Sequence, residues 1–275
     1  MLLETAPTEF IEASGVKFAY RRLGSRDGTP LICLLHFTGT MDSWDPAVVN
    51  GLAEDRPVIV FDNTGVGKST GQTPDNVAQM TADAEQFITA LGFAKVDLLG
   101  YSLGGFVAQS LAVKNPPLVR KIILVGTAPR GGEEHLLKVV TEAFSHKEAP
   151  DVRLPLFFTS TEVSQASGRA FLKRASVRTA DRDPDSGTAI SDPQAKALID
   201  WCATKDHNHS LLKAIDQPAL VLCGSDDTML PDINAYVMFK HLKNAQLILY
   251  PDSGHGALFQ YPGRFVDHSR LFLDE

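Results

Sequence analysis

The chain is poor in cysteine, carries no excess of positive charge and contains no long apolar run, and each shortage removes a class of protein. Only Cys33, Cys202 and Cys223 occur, an odd number without paired spacing, so neither a disulfide framework nor a zinc site is expected. Cys33 and Cys223 sit in apolar runs and read as buried thiols. The formal net charge of −7 argues against nucleic acid or an anionic membrane surface as the main partner. No apolar segment approaches the ~18 residues that span a bilayer. The first residues, Met1-Leu2-Leu3-Glu4-Thr5, lack the basic and apolar regions of a secretory signal, which predicts a cytoplasmic protein. Internal repeats and low-complexity tracts are also missing.

What remains has the balance of a soluble globular chain, 275 residues with 44% hydrophobic and 21% charged, long enough to bury a large core without cross-links. Short apolar runs recur: Leu31 to Leu35, Val58 to Phe61, Val96 to Leu99, Ile122 to Val125, Leu220 to Cys223 and Leu247 to Tyr250. Such runs fit strands covered on both faces. Phe10 to Glu12 and Val16 to Leu23 flank the Ser14-Gly15 turn and predict a hairpin. Helical spacing marks Asp75 to Ala90, closed by Gly92, and Leu103 to Lys114, ended by Pro116 and Pro117. Pro231 to Leu242 and Phe259 to Phe272 are the last two predicted helices. The alternation predicts an α/β fold with a mostly parallel sheet of about eight strands flanked by helices.

The alternation breaks between about Pro129 and His209, too long a stretch for a plain connection. Leu136, Leu137, Val140 and Phe144 keep helical spacing there, and Asp181 to Asp192 is polar and turn-rich. This predicts a core of residues 1–128 and 210–275, with a helical cap, 129–209, inserted after the sixth strand.

Gly100-Tyr101-Ser102-Leu103-Gly104 has the pattern G-x-S-x-G between an apolar strand and a helix. A serine on that tight turn presents its hydroxyl in a strained conformation, at a helix start that favours negative charge. The hydroxyl needs a base. His255, in Ser253-Gly254-His255-Gly256 just after the last strand, is the candidate. Asp226 and Asp227, after the preceding strand, both stand where an acid could orient that imidazole. The order Ser, Asp, His is that of one hydrolase architecture and not of the chymotrypsin or subtilisin folds.

These motifs resemble the α/β-hydrolase superfamily along nearly the whole chain, and within it the capped esterase, lactonase and cofactor-free haloperoxidase-like group. Gly224-Ser225-Asp226-Asp227-Thr228-Met229-Leu230-Pro231 is similar to that group's G-x-x-D-x-x-x-P segment, which implies Asp227 as the acid. Asp62-Asn63-Thr64-Gly65-Val66-Gly67-Lys68-Ser69 resembles its structural D-x-x-G-x-G-x-S turn. The loop after the third strand departs from the group's usual His-Gly. It reads His36-Phe37-Thr38-Gly39, so the second oxyanion donor beside the Leu103 N–H falls on the backbone of Phe37 or Thr38. His36 reads as a structural residue of that loop.

The resemblance implies a serine hydrolase cleaving an ester or lactone of a small, largely apolar substrate through an acyl-enzyme. Phe37, Tyr101, Leu137, Phe144, Phe158 and Trp201 are the candidate substrate-binding residues. No cofactor, metal, nucleic-acid or membrane partner is expected, and a homodimer is compatible with the sequence. The same triad also serves perhydrolase, carbon–carbon hydrolase and lyase chemistry, or persists in slow-turnover receptors. Dehalogenation is disfavoured by Ser at position 102, and broad proteolysis by the cap. Gly65 to Thr70 is not a phosphate-binding loop, because position 62 is an acidic Asp where that pattern needs Gly.

Overall fold

The strands Leu31–Leu34, Val58–Phe61 and Ala219–Gly224, at the interior of the sheet, are short and carry no polar side chain because helices cover both faces there. The computed structural model describes residues 1–131 and 151–275. The strands are β1 (Glu9–Ala13), β2 (Val16–Leu23), β3 (Leu31–Leu34), β4 (Val58–Phe61), β5 (Val96–Tyr101), β6 (Val119–Val125), β7 (Ala219–Gly224) and β8 (Ala245–Tyr250). They form one eight-stranded sheet in the order β1-β2-β4-β3-β5-β6-β7-β8. β1 and β2 pair antiparallel, as does β2 with β4; every other pair is parallel. This is the α/β-hydrolase architecture expected from the sequence.

The two-residue period sorts side chains between two cores. Ile32, Leu34, Leu98, Ile122, Leu124 and Val221 point to one face, where helices α2 (Val77–Ala90), α3 (Leu103–Lys114) and α8 (Asp232–His241) pack. Leu31, Cys33, Leu99, Ile123, Val125 and Leu222 point to the other, beneath α1 (Pro46–Leu52) and α10 (Pro262–Asp274). Asn76 caps α2 by accepting the Gln79 N–H at 2.8 Å, so the helix begins two residues after the predicted Asp75. The predicted last helix is two pieces. A single turn, α9 (Ala257–Gln260), precedes α10, whose Pro262 lies in its first turn, where the missing N–H costs nothing.

Between β6 and β7 stand four described helices: α4 (Arg153–Phe157), α5 (Glu162–Ala175), α6 (Thr188–Ala203) and α7 (Ser210–Lys213). They are bound to the rest by specific contacts. The Phe171 ring stacks on Phe259 at 4.4 Å, and Trp201 stacks on Phe106 at 4.9 Å while its N–H reaches the Ala128 carbonyl. Arg174 grips the buried Asp45 carboxylate through two nitrogens. Leu136, Leu137, Val140 and Phe144 lie outside the described residues. Among the described residues no helix is long and apolar enough to cross a membrane.

Parallel strands gather their carboxyl ends on one edge. The turns after β3, β5, β7 and β8 therefore carry His36, Ser102, Asp227 and His255 to a common region, at the point where the chain reverses its direction of travel across the sheet.

Candidate active site

Ser102 follows β5 and caps α3, with φ +54° and ψ −119°. A non-glycine residue there is strained by roughly 1–3 kcal/mol and must be held by its surroundings. The Ser102 N–H donates to Val125 O at 2.9 Å, and its carbonyl accepts from Gly105 N and from Thr127 Oγ1. The helix start also lies hard against β3. A methyl group on Gly104 would sit 2.1 Å from the Leu34 carbonyl oxygen, so only glycine permits this approach. Leu103, first residue of α3, carries one of the N–H groups that a helix start leaves without an internal partner.

The imidazole and carboxylate meet as a buried pair. His255 Nδ1 lies 2.8 Å from Asp227 Oδ2, and both side chains are almost wholly inaccessible. The other carboxylate oxygen accepts the N–H groups of Met229 and Leu230, each at 2.9 Å. Asp226 points outward, where Ser225 Oγ caps it. Gly224 lets the histidine loop close over β7: a methyl there would meet Ser253 O at 2.1 Å. Tyr101 supports the loop from below, its hydroxyl donating to the His255 carbonyl at 3.2 Å.

The loop after β3 is a tight turn in which Gly39 N–H returns to His36 O at 3.0 Å. Thr38, its third residue, has φ +58°, a conformation that favours Gly or Asn over a β-branched side chain. Its N–H is committed to Gln194 Oε1 at 2.6 Å, and its carbonyl accepts from Ser186 Oγ at 2.8 Å. Of the two backbone donors expected here, Thr38 is therefore occupied, and Phe37 N–H has no acceptor among the described residues. His36 Nδ1 donates to Phe37 O at 2.8 Å, which fixes the proton on that nitrogen. Burial lowers the His36 pKa to about 4, so the ring is neutral.

Ser102, His255, His36, Phe37 and Thr38 line one cavity of about 550 Å³. Phe157, Leu156, Val152 and Met229 give it an apolar side. Thr40, Ser43, Arg153, Arg182, Asp185 and Ser186 give it a polar one. Among the described residues the wall is thus mixed, apolar on one side and polar on the other. Of the candidate substrate-binding residues, Phe37 lines the cavity, whereas Tyr101, Phe158 and Trp201 do not. Their rings are turned into the core: Tyr101 among His36, Phe157 and Phe259, Phe158 against Phe171, and Trp201 on Phe106. Leu137 and Phe144 lie outside the described residues.

Beneath the polar side three carboxylates share a buried site. Arg21, fully buried, bonds Asp42 at 2.6 Å and lies 3.7 Å from Asp183. Asp42 Oδ2 also takes the Asp183 N–H at 2.7 Å. For Asp42, burial raises the pKa but the Arg21 guanidinium and that N–H outweigh it, and the net shift is downward. Asp183 has no hydrogen-bond donor on either oxygen; burial, then repulsion from Asp62 and Asp42, pushes it up to about 8. Asp62 holds the turn that follows β4, accepting the N–H groups of Met41 and Lys68. Lys68 itself pairs with Asp181, so the turn is a fastening point and not a phosphate cradle.

Gln194, Ser186 and Asp183 escaped the sequence reading. One local signal existed for the last. In β2, Ala19, Arg21 and Leu23 share the inward face, and an arginine there demands a buried anion.

With this geometry in place, the comparisons agree. Residues 29–262 match the α/β hydrolase fold family, and the chain belongs to it. It is similar to an α/β hydrolase fold protein from Chitinophaga pinensis, 45% identical across the whole of both chains with a TM-score of 0.95. It is 27% identical to proline iminopeptidase PfmaB of Pestalotiopsis fici, over 97% of this chain and 99% of that protein. It is also 27% identical to the pimeloyl-acyl-carrier-protein methyl ester esterase of Nitrosomonas europaea, over 87% of this chain and 94% of that protein. By name the last two act on different bonds, so membership assigns a hydrolase superfamily enzyme without naming its substrate.

Proposed function

We propose that the protein is a serine hydrolase that cleaves an ester or lactone through an acyl-enzyme. One observation carries the reading. The strained Ser102 and His255 open onto the same cavity, and the far nitrogen of that imidazole is held by the buried Asp227. In this reading His255 Nε2 takes the hydroxyl proton as Ser102 Oγ bonds to the substrate carbonyl carbon. Asp227 keeps the proton on Nδ1 and stabilises the imidazolium. The oxyanion lies between the Phe37 and Leu103 N–H groups; losing one such donor typically costs about 3–4 kcal/mol of the barrier reduction. The carbonyl re-forms, the alcohol leaves with the proton from His255, and water repeats the sequence to release the acid.

The segment 129–209 acts as a cap on the core, 1–128 and 210–275. It excludes water and supplies much of the cavity wall. The mixed lining suits a small substrate with its apolar part toward Phe37, Phe157 and Met229, and a hydrogen-bonding group toward Thr40 and Ser43. A series of p-nitrophenyl esters of increasing chain length tests this. Turnover should peak at short to medium acyl chains and vanish in Ser102→Ala; hydrolysis persisting in that variant rules the reading out.

A further inference from the structure

From the His36 carbonyl to the Thr38 carbonyl, every polar backbone group except one has a partner. His36 O takes Gly39 N–H, Phe37 O takes Thr38 Oγ1 at 2.7 Å and His36 Nδ1, Thr38 N–H goes to Gln194, and Thr38 O takes Ser186 Oγ. The exception is Phe37 N–H. Two of these partners, Ser186 and Gln194, lie in the stretch between β6 and β7, far along the chain from the turn they hold. Gln194 is 1% exposed, so its short bond to Thr38 is shielded from water.

We propose that Gln194 and Ser186 are positioning residues for the oxyanion donor, so that the inserted helices set the catalytic turn as well as covering it. This rests on the acyl-transfer reading above. A planar trans peptide directs its C=O and N–H to opposite sides. The bond from Gly39 to His36 O therefore sets where Phe37 N–H points, in a turn whose third residue, Thr38, is held in the left-handed conformation. A β-branched residue leaves that conformation unless something outside the turn restrains it. Gln194 and Ser186 are that restraint, one on each backbone polar group of Thr38. Without them the turn relaxes, and the Phe37 N–H leaves the position where negative charge develops. Substrate binding in the rest of the cavity is untouched, so the loss falls on the chemical step.

Gln194→Leu removes the acceptor at similar volume. It should lower kcat for a p-nitrophenyl ester about 10- to 100-fold, short of the full loss of a donor, with KM held within about threefold. Gln194→Glu keeps an acceptor oxygen and should recover most of kcat. Ser186→Ala, at a half-buried site that also lines the cavity, should lower kcat about three- to tenfold. The decisive comparison is a double-mutant cycle with Thr38→Gly. Glycine holds a positive φ without help, so Gln194→Leu in that background should cost less than about threefold. An equal cost in both backgrounds, or an effect confined to KM, overturns the inference. Wild-type turnover that Gln194→Leu and Ser186→Ala leave unchanged overturns it while sparing the serine hydrolase reading. A wild type that shows no turnover and no acylation of Ser102 overturns both.

Discussion

Asp227 divides its carboxylate between two tasks: one oxygen meets His255 Nδ1 at 2.8 Å, and the other takes the backbone N–H groups of Met229 and Leu230. The first orients the ring. The second fixes the carboxylate, so the ring is oriented by a rigid partner. Asp227→Asn keeps the shape but can stabilise the wrong tautomer. Ester-hydrolysis kcat should fall by about 10³–10⁴. Asp226→Asn, on the exposed neighbour, should stay within about twofold, a change of at most ~0.5 kcal/mol.

Trp201 is expected to matter for stability and not for substrate binding. Its ring stacks on Phe106 and its N–H bonds Ala128 O, away from the cavity. Trp201→Ala should cost about 3–5 kcal/mol in urea unfolding. KM of the enzyme that remains folded should hold within about threefold, well under 1 kcal/mol of binding. A large KM change with little loss of stability would return Trp201 to the substrate-binding set.

Asp183 should make stability depend on pH in the direction opposite to an ordinary salt-bridged aspartate. Its pKa is raised in the folded protein, to about 8, chiefly by burial and by Asp62 and Asp42. The folded state therefore binds a proton that the unfolded chain releases at ordinary carboxylate pH. The stability tied to that proton is present at low pH and is lost as pH rises through about 8. Relative to wild type, Asp183→Asn should gain stability between pH 5 and pH 9, by at least about 1 kcal/mol. Urea midpoints at the two pH values give the answer; a parallel pH response of the two proteins contradicts it.

A methyl group at position 104 should be tolerated poorly, because it would meet the Leu34 carbonyl at 2.1 Å, where β3 and the start of α3 come together. Gly104→Ala should lower the melting temperature by several degrees, corresponding to about 1–3 kcal/mol of overpacking. It should also reduce kcat, since the strain falls beside the Leu103 N–H. A variant that melts like wild type and turns over normally would show that the helix start need not lie so close.

The sheet was legible because buried parallel strands leave an unmistakable pattern: Leu31 to Leu34 and Val58 to Phe61 have no polar residue to confuse the reading. The elbow at Ser102 was equally plain, since strand, glycines and helix adjoin in sequence. Asp227 was separated from Asp226 only by resemblance; burial of one and exposure of the other makes the physical difference. What escaped depends on contacts between distant stretches. Gln194 meets Thr38 across 156 residues, and nothing in the local pattern of α6 marks it. Asp183 sits in a polar, turn-rich stretch that reads as solvent-facing, yet Arg21 and Asp42 draw it inside. Tyr101 was named for its place in the serine motif, and Phe158 and Trp201 for theirs in the inserted stretch; sequence does not tell a ring that lines a cavity from one that packs in the core, where all three lie.

In the proposed function Ser102 is a nucleophile activated by His255. Mass spectrometry of the intact protein after treatment with a fluorophosphonate, followed by peptide mapping, tests it directly. A single adduct on Ser102 is expected, absent in Ser102→Ala and formed at least about a hundredfold more slowly in His255→Ala. An adduct on another residue, or labelling of Ser102 at an undiminished rate without the imidazole, would contradict it.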